Sequence, residues 1–156
     1  MIRLELPWLP PTVNHAYKPG LTFDSRHKPH AKIELSEIGR SFKSQAAPYL
    51  SSNYPQELRI FERNKPYFCP MRFYFEAIEN KGWAAGKAEN RYKRVDASNR
   101  IKILEDSLAA AGGVDDSQFM APFAMKVQGL PERTVIWVYS LEDEKAPGID
   151  ELIHLP

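Results

Sequence analysis

Ser98-Asn99-Arg100-Ile101-Lys102-Ile103-Leu104-Glu105-Asp106-Ser107-Leu108-Ala109-Ala110-Ala111-Gly112-Gly113 decides how this chain folds. Ile101, Leu104, Leu108 and Ala111 recur at helical spacing and predict a buried stripe, with Asn99, Lys102 and Asp106 on a polar one. Gly112-Gly113 stops the helix, because glycine accepts the left-handed conformation past a helix end at little cost. Downstream, Phe119–Val127 reads as a strand that Pro122 marks as an edge or bulge. Gly129-Leu130-Pro131-Glu132 turns into the strand Thr134–Tyr139. Upstream, Met71–Ala77 alternates aromatic and polar residues as a strand does, and so does Ile2–Leu6, which Pro7, Pro10 and Pro11 end. Ser36 is a candidate N-cap for a helix to about Tyr49, with Ile38, Phe42 and Tyr49 on one face and Pro48 near its end. Residues 12–35 and 79–95 read as long loops, and 51–68 carries no periodic signal. The expectation is one small α/β (α+β) domain over 1–141, a mixed sheet of about four strands with two main helices in the order β-α-β-α-β-β. Residues 142–156 form an acidic, peripheral tail.

The chain has 156 residues, 43% hydrophobic and 26% charged, which suits an ordinary globular domain and not a disordered one. No apolar run approaches the ~18 residues of a membrane span. Met1-Ile2-Arg3-Leu4-Glu5-Leu6 places charges where a secretion signal needs an apolar core, so a cytoplasmic protein is expected. One cysteine, Cys69, excludes an internal disulfide and a cysteine-based zinc cage; it is expected to be buried and inert. The formal charge of +1 argues against a polyanion partner only until it is resolved along the chain. Residues 1–102 carry 18 basic and 10 acidic side chains, +8, and residues 103–156 carry 3 and 10, −7. Such asymmetry points towards a polyanion, because the local field steers binding.

Asp96 precedes the helix after a run of basic residues, and Asp115-Asp116 follow its end. A 13-residue rod separates these ends by about 20 Å. Asp96 and Asp116 meet only if the chain folds back after Gly113 or the loop before Asp96 curls over, and Lys102 and Asp106 could bridge the gap. Carboxylates converging with a lysine suit metal-assisted phosphodiester hydrolysis, since hard oxygen ligands hold Mg²⁺ and a cation offsets charge at the attacked phosphorus. Helix capping by Asp96 or Ser98, a turn at Asp115-Asp116 and an i, i+4 pair of Lys102 with Asp106 account for the same residues without chemistry.

Three segments carry a resemblance. Leu6-Pro7-Trp8-Leu9-Pro10-Pro11-Thr12-Val13-Asn14, then Asp96-Ala97-Ser98-Asn99-Arg100-Ile101-Lys102, then Ala111-Gly112-Gly113-Val114-Asp115-Asp116-Ser117-Gln118 resemble the RusA-type Holliday-junction resolvases. Those proteins open with a strand ending Leu-Pro-Trp-Pro-Pro-Ser and an Asn, and later carry Asp-x-Asp-Asn-x-x-Lys, then Gly and an Asp-Asp pair. The resemblance implies a small homodimeric bacterial or phage endonuclease that binds four-way DNA junctions and nicks paired strands with Mg²⁺ or Mn²⁺, in DNA recombination and repair. It implies Asp96, Asp115 and Asp116 as metal ligands, and Asp96, Lys102 and Asp116 as catalytic residues. One position departs: Ser98 stands where the family has its second motif carboxylate, and Glu105 and Asp106 lie too far along the helix for simple replacement. A degenerate metal site on a non-catalytic branched-DNA binder is the alternative.

DNA contact is expected from Asn14, Lys81, Lys87, Arg91, Lys93, Arg94, Asn99 and Arg100, with Trp83 and Tyr92 either stacking on unpaired bases or packing on the sheet. His27 and His30 read as phosphate contacts or plain surface. No glycine-rich phosphate loop supports nucleotide hydrolysis.

Overall fold

In the computed structural model, which describes residues 1–83, 90–143 and 147–155, the alternating segment Ile2–Leu6 is strand β1 and buries Leu4 and Leu6. A short helix, α1 (Val13–Ala16), leads into a hairpin of β2 (Tyr17–Phe23) and β3 (Pro29–Leu35). Helix α2 (Glu37–Asn53) follows, capped by the Ser36 hydroxyl, which accepts from the Gly39 amide at 3.0 Å. It buries Phe42, Ala46 and Leu50 at four-residue intervals and carries Pro48 inside it. Strand β4 (Tyr67–Phe75), helix α3 (Ile101–Gly112), β5 (Phe119–Gln128), β6 (Arg133–Ser140) and a short α4 (Ile149–Ile153) complete the order.

The main sheet runs β1-β6-β4-β5. β6 is antiparallel to both β1 and β4, whereas β5 pairs parallel with β4. A parallel pair needs a long crossover, and the segment carrying α3 supplies it. β5 is an edge strand, where Pro122 costs no ladder bond in a sheet interior. Leu4, Leu6, Cys69, Met71, Phe73, Ile136 and Val138 face α2 and α3 in one core, with Ile103, Leu104 and Leu108 from α3. The other face of the sheet carries Phe68, Val135, Trp137 and Tyr139, covered by Leu152 of α4. Covering both faces explains why every residue from Thr134 to Ser140 is buried. Arg72 holds this cover down: its guanidinium donates to the carbonyls of Leu152, Ile153 and Leu155 and lies 5.0 Å from the Trp137 ring centre. Among the described residues, no helix is long and apolar enough to cross a membrane.

The single small α/β domain, four-stranded mixed sheet and two main helices match the expectation. Three details differ. Residues 17–35, read as loop, pair into a ribbon with Tyr17, Pro19, Leu21 and Phe23 facing Leu35, Ile33, Ala31 and Pro29. The segment reads as loop for want of a sustained period across it; both strands of a lone hairpin are edges, where Pro19 and Pro29 are tolerated. Its apolar side is largely open to solvent, Ile33 being 79% exposed. On α3 the buried stripe is Ile103, Leu104, Ser107 and Leu108, while Ile101 and Ala111 are only partly buried. The helix starts after a tight 3₁₀ turn, Ser98–Arg100, and Ser107 tolerates burial because its hydroxyl donates to the Ile103 carbonyl at 2.8 Å. On α2, Ile38 is exposed.

One close approach fixes α1. Ser36 donates from both its amide and its hydroxyl to carbonyls of α1, those of Ala16 and His15. A Cβ on Gly39 would lie against the Ala16 carbonyl oxygen, well inside contact distance, so only glycine lets α1 sit there. Gly39→Ala is therefore expected to cost about 2 kcal/mol, as overpacking against rigid backbone does, and to lower Tm by roughly 5 °C. Thermal unfolding followed by circular dichroism checks this; an unchanged midpoint contradicts the tight seating of α1.

Candidate active site

Asp96 stands at the entrance to the 3₁₀ turn before α3 and organises it. Its Oδ1 accepts from the Ser98 hydroxyl at 2.6 Å and the Asn99 amide at 3.3 Å, and its Oδ2 accepts from the Asn99 side chain at 2.6 Å. The Ser98 hydroxyl first, then the Asn99 amide, hold the carboxyl below the usual range, with the Lys126 charge adding to them. Asp96 is nevertheless exposed. It opens into a cleft of about 580 Å³ lined by Thr12, Asn14, His15, Lys93, Arg94, Val95, Asn99 and Lys126. Asn14, Lys93, Arg94 and Asn99, four residues expected to touch DNA, thus gather around one carboxylate.

At the other end of α3, Gly113 takes the left-handed conformation (φ +69°) and turns the chain back. Asp115 then caps a second 3₁₀ turn, Asp116–Gln118, accepting from the Ser117 amide at 2.9 Å while the Gln118 side chain accepts from its own amide. Gln118 also donates to the carbonyls of Glu62 and Lys65, which ties the turn to the segment before β4. This return sets Asp116 against Lys102, whose ammonium donates to Asp116 Oδ2 and lies 2.9 Å from Asp106 Oδ1. Asp106 Oδ2 in turn accepts from the Tyr17 hydroxyl at 2.8 Å and faces the Lys43 ammonium at 3.6 Å.

The electrostatics of this cluster assign roles. Asp116 first, and then Asp106, hold the Lys102 ammonium well above its ordinary pKa, which keeps it protonated in this arrangement. Burial works against ionised Asp106, but the Lys102 ammonium and the Tyr17 hydroxyl outweigh it and keep the carboxyl low. Burial, reinforced by Asp106, pushes the Tyr17 phenol up. At Glu105 burial, with the charges of Asp116 and Asp106, outweighs the Lys102 charge and raises the carboxyl to about 7.

The fold-back after Gly113 therefore brings Asp116 to Lys102, while the described bonds of Asp96 run to Ser98 and Asn99 and not to Asp116. The bonds of Asp96 and Asp115 are local capping bonds, although the Lys102 charge also lowers Asp115. Among the described residues, no three Asp, Glu, His or Cys side chains converge as a metal cage. The donor chemistry still suits a hard divalent cation, because Mg²⁺ commonly takes one or two carboxylates and fills its shell with water and phosphate oxygens.

The remaining expected residues divide. Arg100 is half-buried: its guanidinium donates to the Pro10 carbonyl and lies 5.4 Å from the Phe75 ring centre. Lys81 is exposed, and Lys87 lies outside the described residues. Arg91 pairs with Glu79 and lies about 5 Å from the ring centres of both Trp83 and Tyr92. Pairing of Glu79 with Tyr92 makes a short ribbon at the base of this loop, and both aromatics are exposed instead of packed on the sheet. His30 pairs with Asp24, and Cys69 is buried with its thiol pushed up by that burial. His15, Lys43 and Lys126 carry no sequence signal for the site; they arrive from α1, α2 and β5.

A family model described as endodeoxyribonuclease RusA matches residues 10–139, a span that holds both the Asp96 cleft and the Lys102–Asp116 cluster and leaves α4 outside. No curated protein matches the chain.

Glu105 gives a pH test of this electrostatic picture. Its folded pKa is raised from 4.5 to about 7, so the folded state binds the extra proton between these values and stability falls as pH rises through them. Above pH 7 the penalty is fully present, about 1 kcal/mol once partial solvation of the group is allowed for. Glu105→Gln should leave Tm near the wild-type value at pH 4.5 and raise it by roughly 3 °C at pH 8. Equal effects at both pH values in thermal unfolding contradict the assignment.

Proposed function

This chain belongs to the endodeoxyribonuclease RusA family, and from that premise we propose that it is a metal-dependent, structure-selective endonuclease that resolves four-way (Holliday) junctions by paired nicks. The observation that carries the reading is the fold-back that sets Asp116 on the Lys102 ammonium, in a chain whose Asp96, before α3, opens into a cleft with a basic wall.

In this reading a DNA strand enters the cleft. Lys93, Arg94 and Lys126 neutralise its phosphates, and the Asn14 and Asn99 amides bond phosphate or sugar oxygens, which fixes register without reading sequence. Trp83 and Tyr92, with Arg91 against both, offer a stacking platform for bases unpaired at the crossover, with Lys81 nearby in sequence. Asp96, Asp115 and Asp116 would be the residues to hold Mg²⁺ or Mn²⁺, an ion that would supply a more nucleophilic water and offset phosphate charge. Lys102, protonated in this arrangement, stabilises charge that develops on the phosphate or the departing oxygen. A four-way junction is approximately two-fold symmetric, so two symmetric nicks call for a homodimer with two such sites. Work on junctions places the protein in recombination and repair, in a bacterial or phage-infected cytoplasm.

A second reading, a branched-DNA binder without cleavage, draws on the state of the carboxylates. Both Asp96 oxygens are taken by Ser98 and Asn99, and no cage of three acidic or His groups forms among the described residues. Cleavage of a synthetic four-way junction titrated with Mg²⁺ and Mn²⁺ separates the two. Wild type should nick, and Asp96→Asn and Lys102→Ala should each slow single-turnover cleavage by about 100-fold or more. Binding without nicking at any metal level favours the second reading, and cleavage indifferent to Asp96→Asn contradicts the metal assignment. Faster cleavage by Ser98→Asp would mark Ser98 as an impairment. Lys126→Ala should weaken junction binding and reduce its log–log salt slope by about 1.

A further inference from the structure

Asp106 differs from an ordinary helix-surface carboxylate. Its side chain is 16% exposed although it pairs with a lysine one turn away that is 52% exposed. Each oxygen has its own partners: Oδ1 takes Lys102, and Oδ2 takes the Tyr17 hydroxyl and faces Lys43. Those partners come from the root of the hairpin and from α2, so Asp106 is clamped by two elements outside its own helix. An exposed i, i+4 pair is loose because both chains move. Here one side of the pair is fixed, and the flexible lysine stem closes onto a stationary anion.

We infer that Asp106, held by Tyr17, is the positioning residue that fixes the Lys102 ammonium for cleavage. The inference rests on the proposed role of Lys102. Asp116 is the other anion on that ammonium, and in the proposed function it serves the metal, which leaves Asp106 as the anchor that stays with the lysine. Asp106 is also the more enclosed of the two anions, its side chain 16% exposed against 37% for Asp116, which suits anchoring better than ligation. Tyr17 has a matching second duty. It is the residue that ends α1, whose Asn14 and His15 line the Asp96 cleft, so its bond to Asp106 sets the lysine relative to the strand-binding wall.

Two measurements on the full-length protein test this. In single-turnover junction cleavage at saturating protein, Asp106→Asn should be slower by about 30-fold and Tyr17→Phe by about 5-fold, the scale of a misplaced group, with junction Kd within about twofold of wild type. Added to Lys102→Ala, Asp106→Asn should slow the reaction no further, because the two act as one unit. Independently of activity, ¹⁵N-lysine NMR should show a slowly exchanging ammonium signal that Lys102→Ala removes and that Asp106→Asn and Tyr17→Phe broaden or shift. Wild-type cleavage rates in both Asp106→Asn and Tyr17→Phe, while Lys102→Ala is inactive, overturn this inference alone. A Lys102→Ala protein that still cleaves overturns the role of the lysine and with it the inference. A Lys102 signal untouched by Asp106→Asn overturns the anchoring whether or not the protein cleaves. If Asp106→Asn does not fold, the Tyr17→Phe rate and spectrum decide.

Discussion

The ammonium of Lys102, bonded to Asp116 across the return of the chain and to Asp106 along α3, is the contact on which the site depends. It exists because β5 must lie parallel to β4, so the chain has to leave α3 and come back along the sheet. Gly113 makes that reversal at a left-handed φ, and Gln118 then ties the returning turn to the carbonyls before β4. The same topology that completes the sheet therefore delivers a carboxylate to the lysine. From the other side, α1 is pinned to the start of α2 through Ser36 and the missing side chain of Gly39, which brings Tyr17 to Asp106. Site geometry is a by-product of packing at each of these points.

The near-zero net charge acquires a structural meaning. The basic half supplies Lys93 and Arg94 to the cleft wall, where Lys126 joins them from β5. The acidic half is not simply a repelling tail. Glu105, Asp106, Asp115 and Asp116 surround or influence Lys102, and Asp143 is engaged by Ser140 and Lys65. A polyanion would meet cations at the cleft wall, with Asp96 among them.

Much of this was legible because the elements that bury apolar surface carry periodicity. Thr134–Tyr139 and Met71–Phe75 announced the central strands, and Gly112-Gly113 the end of α3. The phase of α3 was misread because Ser107 is a buried polar residue satisfied by its own helix, which a count of apolar side chains passes over. The hairpin was hidden for want of a sustained period, and α4 is too short to show one. At the site, Asp96, Lys102 and Asp116 stood out only through the motifs of the family resemblance, since spacing alone left capping and turn roles open. Tyr17, Lys43 and Lys126 did not, because their place is set by tertiary contact between elements far apart in sequence. Arg100 shows the converse limit: a cation in a basic run reads as surface, yet it is half-buried against the Pro10 carbonyl and the Phe75 ring.

The central claim is that this arrangement is a working, two-fold-symmetric nuclease site. The most direct measurement follows both strands of one four-way junction, each labelled separately, during a single encounter with the protein and Mg²⁺. The account expects nicks at symmetry-related positions in two opposing strands before the complex dissociates. Stable binding with both strands intact, or nicks scattered over duplex arms as readily as at the crossover, would contradict it.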